Sequence, residues 1–131
     1  MTTVNVGACI VGGGPGGLLL GLLLAKRGAR VLVLEGHETF DRAFRGEVLQ
    51  PSTAHLLDEL GLLEYVKAQP HSLLTAGKLR LKGREIGEFS FAKIAPRYPY
   101  AIWMPQPIVL DALLRKAQPF PSFECWMGAK V

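Results

Sequence analysis

Hydrophobic and polar positions alternate in blocks along the N-terminal third of the chain. An uncharged run from Val4 reaches the cluster Gly12-Gly13-Gly14-Pro15-Gly16-Gly17, a leucine-rich segment follows, and a second short apolar run, Val31 to Leu34, ends on Glu35. Short apolar runs bounded by turn residues fit buried strands, and a longer one fits a helix. The order predicted is therefore strand, tight turn, helix, strand. Gly36 to Phe44 is polar and predicts a loop. Pro51 suits the first position of a helix, with Leu56, Leu57 and Leu60 as its apolar stripe and Gly61 just past its end. A second short helix, Leu62 to Ala68, is expected before Pro70.

The period then changes. Lys78 to Lys82 alternates strictly, Gly83-Arg84 can turn, and Glu88 to Phe91 alternates again, which predicts an antiparallel hairpin with one buried face. Tyr98 to Met104 fits a strand. Pro107 opens a helix carrying Leu110, Leu113, Leu114 and Ala117 at i, i+3, i+4, i+7, and Pro119 and Pro121 stop it. Phe123 to Met127 fits a return strand.

Composition narrows the class without naming a function. The 131 residues are 49% hydrophobic, enough for one modest core, and the formal net charge is +4. No cluster of five or more Lys or Arg residues marks a nucleic-acid surface. Val4 to Ala25 is uncharged, but its glycines and proline would interrupt a membrane-spanning helix, and no basic segment precedes it as in a signal peptide. Stable membrane insertion is not expected. Cys9 and Cys125 lie in separate apolar runs outside any CxxC pair, so free buried thiols in a reducing cytoplasm are expected. His37, His55 and His71 show no metal-ligand spacing, and no metal is expected.

The candidate chemistry lies in the glycines. GxGxxG falls on Gly12, Gly14 and Gly17, and Glu35 lies 18 positions after Gly17, close to the spacing of about 20 in a dinucleotide-binding βαβ unit. Gly12 lets the chain turn out of the strand, Gly14 offers no Cβ to hold a pyrophosphate away, and Gly17 lets helix and strand pack closely. With Pro15 at its first position, the helix aims its unpaired N–H groups and positive dipole end at the phosphates. Glu35 can accept from ribose hydroxyls and repels a 2′-phosphate, which points to an ADP moiety of the NAD or FAD type.

Together with GGGPGGL and Glu35, the stretches FRGEVLQPSTAHLLDELGLLE and MPQPIVLDALLRKA on either side of the hairpin resemble the N-terminal part of the class A flavoprotein monooxygenases, the para-hydroxybenzoate hydroxylase family and its relatives. The resemblance covers nearly the whole chain. It implies an α/β fold: a Rossmann-like βαβ FAD-binding domain carrying an antiparallel hairpin from the start of a substrate-domain sheet. Residues 1–70 would hold the βαβ unit and following helices, 72–104 the hairpin and strand, and 105–131 the helix and return strand. Gly12, Gly14, Gly16 and Gly17 would hold the FAD pyrophosphate around Pro15, and Glu35 the adenosine ribose. Arg45, Gly46, Glu47 and Val48 would lie along the flavin side, and Gln106 would contact FAD from the start of its helix. An arginine can pair with phosphate oxygens or cover a flavin ring, and a glutamine offers both donor and acceptor.

The implied reaction is reduction of FAD by NADH or NADPH and transfer of one oxygen atom from O₂ to an aromatic or other electron-rich small molecule. No residue stands out as catalytic. The family's DG and GD signatures are absent, so a truncated form is expected. Flavin-dependent halogenases and reductases of isoprenoid chains share the opening motifs, and a non-catalytic nucleotide-binding module is a further alternative. An NAD-linked dehydrogenase is disfavoured, because it would continue with alternating strand and helix instead of a hairpin.

Overall fold

The computed structural model describes residues 3–41 and 48–131. The chain divides into two compact units, one formed by residues 1–43 and 107–131, the other by residues 44–106.

The first unit is a parallel sheet with crossover helices. β1 (Ala8–Val11) leads into α1 (Pro15–Lys26) and β2 (Val31–Glu35); after the second unit, α5 (Gln106–Ala117) leads to β8 (Phe123–Met127). Strand order is β1-β2-β8, with Ala8 opposite Val31 and Val31 opposite Phe123. β2 is the central strand. Its Val31, Leu32, Val33 and Glu35 are buried, as expected of a parallel strand covered on both faces.

α1 starts as its sequence dictates, with Gly14 as N-cap and Pro15 in the first turn. At its other end Gly28 has φ +83°, Gly28 N–H bonds Ala25 C=O and Ala29 N–H bonds Leu24 C=O, a complete Schellman stop. Leu18, Gly21, Leu22 and Ala25 face the core, while Leu20 is exposed. Gly21 permits close packing: a Cβ there would come within 2.9 Å of the Phe123 ring and 3.0 Å of Val33 Cγ2.

The second unit holds β3 (Val48–Leu49), α2 (Pro51–Glu59), α3 (Leu63–Lys67), β4 (Ser72–Leu74), β5 (Ala76–Leu81), β6 (Arg84–Ser90), the short α4 (Phe91–Ile94) and β7 (Ala101–Trp103). β3 and β4 flank β7 antiparallel, and β5 pairs with β6. α2 ends as predicted: Gly61 has φ +67°, and the Gly61 and Leu62 N–H groups bond the Asp58 and Leu57 carbonyls.

Several expectations are corrected. The buried face of α2 is Ala54 and Leu57, whereas Leu56 is exposed. The hairpin turns on Lys82-Gly83, at φ 48° and 80°, one residue before the expected pair. Positive φ at both central residues matches the right-handed strand twist. Ile86 is inserted as a bulge between the pairs Leu79↔Gly87 and Arg80↔Glu85, which breaks the strict alternation. Leu79, Leu81, Ile86 and Phe89 are exposed, so the hairpin has no buried face in this chain. Phe91 leaves the strand to begin α4, and the strand expected over Tyr98–Met104 narrows to Ala101–Trp103. Both cysteines are free, but Cys9 is exposed rather than buried.

Candidate cofactor site

β1, the glycine turn and α1 meet the end of β2 in the first unit. Gly12 N–H bonds the Leu34 carbonyl at 2.8 Å, so the ladder runs into the turn, and Gly12 then takes φ +106°, a conformation open to glycine and strained for other residues. Gly17 is required by contact: a Cβ on it would lie 2.0 Å from the Gly12 carbonyl oxygen. Its role is to seat the helix on its own turn, and the close helix-to-sheet approach expected of it belongs to Gly21 as well.

Gly14 and Gly16 are different. A Cβ built on either meets nothing within 4 Å, so the fold leaves open space beside them. No side chain caps α1, and its first turn carries no acidic residue. An anion therefore finds the helix N-terminus without a carboxylate from the first turn of α1 itself to compete.

Glu35 closes the floor of the turn. It is 4% exposed and the sole buried charged residue among those described. Its Oε2 accepts the Gly13 N–H at 2.8 Å, and its Oε1 accepts the His37 N–H at 2.9 Å with His37 Nδ1 at 2.6 Å. Gly13 admits this carboxylate, since a Cβ there would lie 2.9 Å from Glu35 Cβ and 3.0 Å from Oε2. Burial pushes the nearby Cys125 thiol up from its ordinary value, and the negative charge of Glu35 adds to the effect. The segment after β8 completes the frame, with Ala129 N–H on the Glu35 carbonyl and Gly128 N–H on the His37 carbonyl.

Gly12, Gly14, Pro15, Gly16, Gly17 and Glu35 are thus brought together. Val48 lies on β3 opposite Trp103, and Gln106 is the half-buried first residue of α5. Arg45, Gly46 and Glu47 lie outside the described residues. Gly13, Gly21 and His37 were missed by sequence reasoning. Gly13 occupies a variable position of the GxGxxG pattern, and only the three-glycine run hinted at it; nothing in the spacing marked His37.

An open backbone over a helix N-terminus, with a buried carboxylate beside it, fits the adenosine diphosphate end of FAD. Among the described residues no group of three or more His, Cys, Asp or Glu could hold a metal ion, and no helix is long and apolar enough to cross a membrane.

The comparisons agree. The family model of the FAD binding domain matches residues 5–131. The chain is 38% identical over 123 residues to 6-methylpretetramide 4-monooxygenase of Streptomyces rimosus, covering 94% of this chain and 29% of that protein. It is 41% identical over 58 residues, 44% of this chain and 13% of the relative, to 1H-pyrrole-2-carbonyl-[peptidyl-carrier protein] chlorinase of Pseudomonas fluorescens. The crystal structure of p-nitrophenol 4-monooxygenase from Pseudomonas putida DLL-E4 superposes with a TM-score of 0.85 at 30% identity, covering 98% of this chain and 33% of that one. The chain spans about a third of the length of these monooxygenases. As its resemblance to the class A flavoprotein monooxygenases implied, the chain belongs to the FAD binding domain family.

Proposed function

We propose that this domain binds FAD for a flavin-dependent monooxygenase acting on an aromatic or other electron-rich small molecule. The observation that carries it is the pairing of open space at Gly14 and Gly16 with the uncapped start of α1, directly beside the buried Glu35 carboxylate. Gly12 and Gly17 shape the turn, while Gly14, Pro15 and Gly16 present the helix N-terminus to the pyrophosphate. Glu35 accepts from the adenosine ribose. Arg45, Gly46, Glu47, Val48 and Gln106 are assigned to the flavin side by the family resemblance. The three segments 1–70, 72–104 and 105–131 serve, in turn, the dinucleotide, the substrate layer and the closing helix and strand.

FAD, when bound, supplies the redox and oxygen chemistry, and the protein supplies position and electrostatics. NADH or NADPH is the proposed reductant, the cytoplasm the proposed compartment, and neither nucleic acid nor membrane a partner. The relatives named as a 6-methylpretetramide and a p-nitrophenol 4-monooxygenase support an aromatic substrate class. A second reading, halogenation, is favoured by the 58-residue match to a chlorinase.

The test is calorimetric titration of ADP, FAD and 2′-phospho-ADP-ribose. ADP and FAD should bind, and the 2′-phosphorylated ligand should bind more weakly because Glu35 repels it. Failure of ADP to bind would end the dinucleotide reading. Flavin-dependent turnover with phenolic substrates, compared with and without chloride, separates oxygenation from halogenation.

A further inference from the structure

The Glu35 carboxylate is anchored from both sides, and the two anchors differ in kind. Gly13 supplies a backbone N–H to Oε2, whereas His37 meets Oε1 with its backbone N–H at 2.9 Å and its ring Nδ1 at 2.6 Å. An ionised carboxylate only accepts, so the hydrogen in the short ring contact belongs to Nδ1. The His37 side chain is 56% exposed and that of Glu35 5%, which makes the imidazole the outer wall of a buried acceptor. His37 itself is fixed, since its carbonyl accepts the Gly128 N–H at 2.9 Å while the Glu35 carbonyl accepts the Ala129 N–H at 2.8 Å.

The last torsion of a glutamate is broad and weakly restrained. The Gly13 and His37 backbone N–H groups hold one oxygen each, and the ring contact, the shortest of the three, adds a second donor on Oε1 that stiffens the plane of the carboxylate and the direction of its lone pairs. We infer that His37 is a positioning residue for the adenosine ribose, its Nδ1–H reinforcing the two backbone donors that hold the Glu35 carboxylate in the plane that receives the ribose hydroxyls. Discrimination between a ribose and a deoxyribose ligand therefore depends on His37 as well as on Glu35. This rests on the reading of Glu35 as the ribose acceptor.

The test is calorimetric titration of ADP and 2′,3′-dideoxy-ADP into wild type, His37→Ala, His37→Asn and Glu35→Ala, with a thermal melt of each. Wild type should prefer ADP. His37→Ala keeps the backbone donor and loses only the ring; its ADP affinity should fall about tenfold or more, as for a hydrogen bond to a charged group, with dideoxy-ADP affinity unchanged. His37→Asn, whose Nδ2 replaces Nδ1, should retain the preference. Equal weakening of both ligands, or of neither, overturns the proposal. If Glu35→Ala abolishes the preference while His37→Ala keeps it, only the role of His37 fails. If wild type shows no preference, the ribose reading of Glu35 fails, and the proposal with it.

Discussion

Gly13 and Glu35 fit closely against each other: the Gly13 N–H meets Oε2 at 2.8 Å, and a Cβ on Gly13 would lie 2.9 Å from Glu35 Cβ. Glu35 therefore holds the glycine turn as well as any ribose. Glu35→Gln tests this. A glutamine offers an acceptor on one side and an NH₂ on the other, so one of the Gly13 and His37 N–H groups loses its acceptor whichever way it lies. An unsatisfied buried donor costs about 1 to 3 kcal/mol. Urea unfolding of the ligand-free protein should show that loss, and an unchanged midpoint would mean the turn does not depend on the carboxylate.

The glycines of the turn should separate into two classes. Gly17→Ala places a Cβ 2.0 Å from the Gly12 carbonyl, a backbone atom that cannot give way, and should cost more than about 3 kcal/mol of stability. Gly14→Ala sits at φ −73° and ψ −178° with open space around it, so the fold should be unaffected. Its cost should appear in ADP affinity, as a fall of roughly tenfold or about 1.4 kcal/mol. Melting curves and ADP titrations of both variants check the assignment; a destabilised Gly14→Ala would show that its glycine serves the fold.

The first unit was legible because its signals are local. Pro15 and Pro107 mark helix starts through their own backbone constraints, as Gly61 marks a helix end in the second unit, and the run Val31 to Leu34 is apolar throughout because β2 is covered on both faces. The glycine cluster and Glu35 follow from the same locality. What escaped notice depends on tertiary neighbours. Gly21 reads as a weak point in a helix until Phe123 is set against it, and Leu56 looks like core until Ala54 is found to occupy the buried face. The Ile86 bulge and the early turn at Lys82 shift the hairpin away from its alternating pattern. His37 carries no motif at all, since its role arises only when the chain after β2 folds back onto Glu35.

Gly21 and Phe123 should be energetically coupled. An alanine Cβ at 21 would lie 2.9 Å from the Phe123 ring and 3.0 Å from Val33 Cγ2. Overpacking costs roughly 1 to 3 kcal/mol, offset by about 1 kcal/mol of helix propensity gained over glycine. Gly21→Ala should therefore be destabilised by about 1 kcal/mol. Combined with Phe123→Leu, which removes the ring, the loss should be smaller than the sum of the two single losses. Simple additivity in denaturant unfolding would separate the two residues.

The two thiols should react at different rates. Cys9 is exposed, while Cys125 is half-buried, with burial and then the Glu35 charge holding its thiol above the ordinary value. The thiolate is the reactive species, so a disulfide reagent near neutral pH should label Cys9 quickly and Cys125 slowly. In Glu35→Gln the slow phase should quicken as the negative charge is removed. Equal rates for the two cysteines would contradict the burial of Cys125.

Alkaline stability should depend on Tyr98. Its phenol donates to Asp58 Oδ2 at 2.6 Å, and this hydrogen bond, reinforced by burial, holds Tyr98 above its ordinary value of 10.0. The folded protein thus keeps the phenolic proton to higher pH than the unfolded chain. The stabilisation is fully present below the unfolded value and is lost as pH rises from there through the folded value. Tyr98→Phe removes the donor and leaves Asp58 with the Arg97 guanidinium, whose Nη2 is 3.9 Å away. Wild type should be the more stable protein near neutrality, and the gap between the two should narrow on the alkaline side of that window. Thermal melts of both proteins between about pH 8 and 11 measure it, with the remaining tyrosines and lysines common to both and cancelling in the difference. A gap that stays constant across the range would mean that the Tyr98–Asp58 hydrogen bond does not couple the phenolic proton to folding.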